Sequence, residues 1–439
     1  MVENWWARRG PVTLVAAWVL SVPVLALVAA VLRARPDVRL LTGAEPFVGH
    51  WAVRTGPGLV VVLALLVAVV RYGPGLAARL PWRGLLPAAG AGAAAWAVAL
   101  ATTTSWDDLT APARGRHEYL AVVPDVLADP RGFLDAFLDP ATVLPTHVAG
   151  HPPGLVLLLA ALDRAGLGGA GWATALFVLA GASTVPAVLV TLRALGAPEA
   201  TVRSVAPALV LAPAALWVAT SADAFFAGVL AWGVALLALA SAPGARGRWA
   251  YAAGAGLLLG ACPLLSYGLL HMGLVALAPL ALTRRAGPTL VAGLVAVGVV
   301  VAAGLSGFWL WDGIAVTHEA WAPTGAARPY LYFAFVDLAV LGAIIGPAAV
   351  GGLARLGRAD AATRTVVVLA LAAAAAGVLL GFERGEVERI WLPLAYWVVP
   401  AVAGLRPAAR SAAPAVPSSW LWAQGGAAVL LETILESPW

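Results

Sequence analysis

The sequence predicts an all-α polytopic membrane protein, with about 12–14 transmembrane helices and a large extracytoplasmic loop that carries short amphipathic helices. Three observations lead there. The chain is 62% hydrophobic and 11% charged, whereas soluble domains are about 25% charged. Apolar stretches approaching the roughly 20 residues needed to cross hydrocarbon recur from near residue 11 to near residue 435. The arginines gather in alternate loops, as orientation in a bilayer requires. Residues 1–439 therefore read as a single integral membrane domain with the lipid bilayer as its solvent.

Arg8 and Arg9 before the apolar run Pro11–Leu32 have the outline of a secretory signal, but the run is long and lacks a convincing cleavage site. It is expected to be a retained first helix. Further apolar segments fall near 58–72, 84–104, 153–168, 170–192, 204–220, 222–242, 249–264, 267–283, 287–306, 331–353, 365–381, 391–404 and 420–435. With a cytoplasmic N-terminus, Arg8, Arg9, Arg71, Arg79, Arg83, Arg246, Arg248, Arg284, Arg285, Arg355, Arg358, Arg364, Arg406 and Arg410 share one side. The other side receives 33–57, 105–152, the Ser221–Asp223 turn, the Cys262–Met272 turn, 307–330 and 382–390. Segment 33–57, with Arg33, Arg35, Arg39 and Arg54, runs against the rule. The count from Pro153 to Asp223 is odd where an even one is needed, so either 153–168 is a half-helix or re-entrant piece, or a cytoplasmic assignment there is wrong.

All 27 basic residues are arginine, a bias typical of GC-rich bacterial coding sequence, which points to a bacterial plasma membrane. Scattered through short loops, they form no nucleic-acid-binding face. The single Cys262 excludes an internal disulfide and a thiolate metal cluster, and reads as a small core residue. All 6 histidines, His50, His117, His147, His151, His271 and His318, fall on the extracytoplasmic side; longer, more polar loops there are the plainer explanation.

The longest polar segment, 105–152, should fold on the membrane surface. Leu120, Val123, Val126, Leu127, Phe133, Leu134, Phe137 and Leu138 recur with the spacing of one or two interfacial amphipathic helices. Asp107 and Asp108 directly follow a membrane segment, and Glu118 stands between His117 and Tyr119. Carboxylates near apolar surroundings can serve as a general base, or stay ionised and bind a divalent cation. No resident cofactor is expected, a divalent cation at Asp107 and Asp108 being the one candidate. Helix capping or loop solvation is the plainer role for each acid. The loop ends at His147-Val-Ala-Gly-His151-Pro-Pro-Gly154, where the proline pair sets the angle into the next helix and places both imidazoles at its mouth. Two histidines four apart make a poor zinc site without a third ligand.

A second polar group, Phe382-Glu-Arg-Gly-Glu-Val-Glu-Arg-Ile-Trp-Leu-Pro393, lies between apolar segments on the same side. Arg384, Glu388 and Arg389 could bind a polar ligand, arginine being well suited to phosphate, or could pair among themselves in a solvated turn. Asp223 reads as an N-cap, and Trp309, Trp311 and Trp321 around His318-Glu319 as an interfacial belt or a sugar platform.

Three short motifs, namely Asp107-Asp108 with Glu118-Tyr119, His151-Pro-Pro-Gly154, and Glu388-Arg-Ile-Trp-Leu-Pro393, together with the topology, resemble the GT-C superfamily of membrane glycosyltransferases. That group includes protein O-mannosyltransferases and actinobacterial mannosyl- and arabinosyltransferases. The resemblance implies a polyprenyl-phosphate sugar donor, a glycan, lipid or protein acceptor, and an active site outside the cytoplasm. It implies a base among Asp107, Asp108 and Glu118, with His117, Tyr119, His147, His151, Arg384, Glu388 and Arg389 around the substrates. Two departures stand out: two helices precede the one feeding the acidic loop, and His117-Glu118 replaces a pair of acids. The competing classes are a transporter or flippase, for which Asp337 is the clearest mid-membrane charge, and a scaffold without catalysis.

Overall fold

The computed structural model describes residues 2–381, 383–407 and 415–439, with side chains from residue 9 onward. Arg410, Phe382 and the Arg8 side chain lie outside the described residues. Among those described, seven helices are long and apolar enough to cross a membrane: Arg9–Leu32, Gly58–Arg79, Trp82–Ala101, Ala170–Ala194, Asp223–Ser241, Ala286–Leu305 and Ala361–Leu380. Leu310–Ala327 and Tyr330–Ile345, bent by 99° at Pro329, make an eighth if counted as one span. The protein is thus an all-α, polytopic membrane protein.

The remaining apolar segments are shorter or broken. Segment 204–220 becomes Glu199–Val210 followed by a 3-10 turn at Pro213–Trp217, because Pro213 cannot continue the helical ladder. Segment 391–404 becomes Leu392–Val398 and a 3-10 stretch Val399–Leu405 that contains Pro400. Both breaks are buried throughout, the condition under which irregular backbone survives at membrane depth. The predicted 12–14 spans therefore resolve into seven or eight full-length helices plus such interrupted pieces.

Segment 153–168 is the half-helix that the parity argument allowed. Gly154–Arg164 has 11 residues, about 16 Å of helix against a hydrocarbon core of roughly 30 Å. Arg164 at its end donates to the carbonyl of Leu127 in the 105–152 loop (3.1 Å), so both ends stay at one face. The next helix starts there too, Thr174 donating to the Leu109 carbonyl.

Burial separates centre from periphery. The apolar windows of Asp223–Ser241 and Ala170–Ala194 are 72% and 67% buried, whereas those of Arg9–Leu32, Gly58–Arg79 and Ala286–Leu305 are 11–17% buried. Leu20, Leu27, Val31, Leu290, Leu294 and Val297 on the outer helices face the lipid. The central pair packs closely because its contacts are small: a Cβ on Gly228 would lie 2.4 Å from the carbonyl oxygen of Ala180.

The loops gather at two ends. At one end Arg203 donates to the carbonyls of Ala77 and Leu80, Arg285 to that of Ala242, and Arg406 to Thr201 Oγ1 (2.5 Å). At the other, His50–Trp51 pairs antiparallel with Leu435–Glu436, and Thr317 donates to the Ala149 carbonyl. The loop-bearing histidines and the predicted polar segments share this second end. Two short helices of the 105–152 loop, Val123–Ala128 and Pro130–Phe137, bury Val126, Phe133 and Phe137, and Phe137 meets Phe308 edge-on. Asp129 caps the second by accepting from the Arg131 and Gly132 amides.

Candidate active site

A cavity of about 570 Å³ opens at this polar end, lined by pieces of the chain that are far apart in sequence. Asp108, His117, Glu118 and His147 come from the 105–152 loop, Arg54 from the first loop, and Arg328 and Glu386 from late loops. Glu432 and Ser437–Trp439 come from the C-terminal segment. Leu41, Val48, Ala101, Leu216, Leu431 and Leu435 give it an apolar side.

Local backbone geometry sets the acid and its partner. Glu118 precedes a 3-10 turn at Tyr119–Val122, and its amide donates to the Gly115 carbonyl. The His147 amide donates to the His117 carbonyl (3.0 Å), and Thr146 Oγ1 lies 3.1 Å from His117 Nδ1. These bonds close the two ends of the loop on each other. Glu118 Oε1 then sits 2.7 Å from His147 Nδ1. On its other nitrogen, His147 Nε2 is 3.2 Å from Arg389 Nη2.

Arg389 is buried, and both of its terminal nitrogens are engaged. Its Nη1 donates to Asp223 Oδ2 (2.9 Å) and its Nη2 to Glu386 Oε2 (3.0 Å), while the Trp439 ring lies over the guanidinium at 4.7 Å. Burial opposes this charge, but Asp223 and Glu386 more than offset it and hold the guanidinium protonated far above its ordinary range. Glu386 answers in kind: burial works against its ionisation, yet Arg389 and Arg328 keep its carboxyl below the usual value. Arg328 Nη2 reaches Glu386 Oε1 at 3.4 Å and its Nη1 donates to the Arg384 carbonyl.

The predicted residues divide. Asp108, Glu118, His117 and His147 line the cavity, and Arg389 stands directly behind His147. Tyr119 and His151 form the buried layer beneath: their rings are 5.9 Å apart, and His151 Nδ1 donates to the His147 carbonyl. Burial lowers His151 to about 4, so it is neutral. Asp107 is 76% exposed, bound to Arg114 and away from the cavity. Arg384 is turned elsewhere, donating to the carbonyls of Gly325 and Arg328 with Trp321 and Tyr330 against it. Glu388 is buried and accepts from the Val48 amide (3.0 Å), and burial raises it to about 7. Asp107 and Asp108 face different arginines, Arg114 and Arg54, and no group of three or more His, Cys, Asp or Glu arranged to hold a metal exists among the described residues.

Sequence reasoning missed several participants. Asp223 makes no cap bond; Ser221 Oγ donates to its Oδ2 (2.7 Å), the same oxygen that receives Arg389, so it is an ion-pair partner and not an N-cap. Trp439 carried no motif. Arg54 did carry a signal, since it breaks the positive-inside pattern: it reaches Asp108 at 3.6 Å and Glu432 at 3.7 Å across the cavity. No protein-family model matches the chain, and no curated protein matches it.

Proposed function

We propose that this protein is a GT-C-type glycosyltransferase that moves a sugar from a polyprenyl-phosphate donor to a hydroxyl of a glycan, lipid or protein acceptor. It would work on the outer face of a bacterial plasma membrane. The observation that carries the reading is the convergence of the acidic loop and the late Glu-Arg segment on one cavity at the polar end of an apolar bundle. A lipid-linked donor needs this layout, with its tail in hydrocarbon and its phosphate at the surface.

In this reading Glu118 is the base. It removes the acceptor hydroxyl proton as the oxygen bonds to the anomeric carbon, and the carbon–oxygen bond to phosphate breaks with its electron pair leaving on the polyprenyl phosphate. Asp108 is the second acid at the cavity, already engaged by Arg54. Arg54 is the cation placed to meet the phosphate: it lines the cavity, its side chain is 26% exposed, and its ion pairs are long. Arg389, its terminal nitrogens bound by Asp223, Glu386 and His147, supports the base.

The test is incubation of purified protein in detergent with a panel of polyprenyl-phosphate sugars, scoring polyprenyl phosphate release. Release from at least one donor that is lost in Glu118→Gln supports the reading. No release from any donor, combined with movement of a labelled lipid between leaflets of proteoliposomes, replaces it with a flippase.

A further inference from the structure

We propose that His147 is the positioning residue of this site, a neutral imidazole fixed as the Nδ1–H tautomer that orients the Glu118 carboxylate. A guanidinium has donors only, so His147 Nε2, 3.2 Å from Arg389 Nη2, must be the acceptor in that contact. The ring proton then sits on Nδ1, 2.7 Å from Glu118 Oε1, which accepts it. Each contact that links Asp223, Arg389, His147 and Glu118 in this array then has one donor and one acceptor.

The array is anchored at its far end and free at the near one. Arg389 is held by Asp223 and Glu386, which Ser221 and Arg328 hold in turn. Glu118, at the cavity, has His147 as its one side-chain partner among the described residues. The orientation of the carboxylate is therefore inherited from the buried end through a single ring. A doubly protonated ring would set Nε2–H against the Arg389 donor and break the chain at its middle. The catalytic consequence rests on the glycosyltransferase reading; the tautomer does not.

Three variants separate the two nitrogens. His147→Asn keeps an N–H donor where Nδ1 stands and loses the Nε2 acceptor; His147→Gln places its amide near Nε2 and loses the Nδ1 donor; His147→Ala loses both. Misplacing a catalytic group by about 1 Å costs on the order of a hundredfold, so Ala and Gln should lower kcat by that order, with Asn recovering at least about tenfold over Ala. Donor KM should move little in all three. A Gln variant faster than Asn, or equal losses in kcat for Asn and Ala, overturns the proposal. Independently, nitrogen NMR of the histidine-labelled protein should show, besides His151 and any other ring of the same form, a neutral ring protonated at Nδ1 whose signals vanish in His147→Asn. A vanishing ring protonated at Nε2, or at both nitrogens, overturns the tautomer. If wild-type protein proves inert on every donor while the Nδ1–H signature is present, the array stands and the activity assigned to the site falls.

Discussion

Glu118 and Asp107 belong to the same loop, yet their surroundings give them different prospects. Glu118 lines the cavity and is bound by a ring that is itself braced from below; Asp107 is mostly exposed and neutralised by Arg114. On the proposed glycosyltransferase reading, Glu118→Gln should therefore cost about a hundred- to ten-thousand-fold in sugar transfer, whereas Asp107→Asn should stay within about threefold on the scale of surface substitutions. The reverse ranking would move the base to Asp107. A second prediction concerns Glu388 and Glu383, each raised to about 7 by burial. Their folded pKa lies above the unfolded one, so the stability they contribute is complete below the ordinary carboxylate range and is lost as pH rises through about 7. The thermal unfolding midpoint in detergent should fall between pH 5 and pH 8, with Glu388→Gln flattening part of that slope. A slope that Glu388→Gln leaves unchanged would falsify the assignment. Residue types were legible in the sequence, but partners were not: Glu118 meets His147 across a folded loop, and Arg389 meets Asp223 across 166 positions. Asp223 misled because an acid at a helix start is ordinarily a cap.

At the scale of elements, the sequence marked where apolar segments lie but not which ones are interrupted. Hydropathy averages over a window and cannot see that Pro213 and Pro400 break the ladder inside otherwise apolar runs. The half-helix Gly154–Arg164 was legible as a conflict of parity, which its 11 residues and the Arg164–Leu127 bond resolve. Close packing at the centre yields a third prediction. A Cβ at Gly228 would stand 2.4 Å from the Ala180 carbonyl oxygen, while Gly293 on the lipid-facing helix has nothing within 4 Å. Overpacking typically costs about 1–3 kcal/mol, so Gly228→Val should lower the unfolding midpoint by several degrees, and Gly293→Val should leave it nearly unchanged. Equal midpoints for the two variants would mean that the central helices are not in contact.

At the scale of the whole molecule, the loops gather at two ends of the bundle. Arg203, Arg285 and Arg406 bond backbone or side-chain groups at one end, and the histidine-bearing loops meet at the other. The exception, segment 33–57, has a local cause: Arg33 pairs with buried Glu45, Arg35 with Asp37, and Arg54 with Asp108 and Glu432, so much of its charge is compensated. Buried Cys262 leaves a quiet background for labelling. Cysteines at exposed Ala111 and Val143 should react with an impermeant thiol reagent in intact cells, and one at exposed Arg246 only after lysis. The opposite pattern would invert the orientation. The pairing of His50–Trp51 with Leu435–Glu436 also bears on how the protein is made. A ribosome releases the first of these strands hundreds of residues before the second, so this side of the cavity closes only after residues 435–436 have emerged. A chain stalled before residues 435–436 would lack the strand that pairs with His50–Trp51 and the Leu435 side of the cavity.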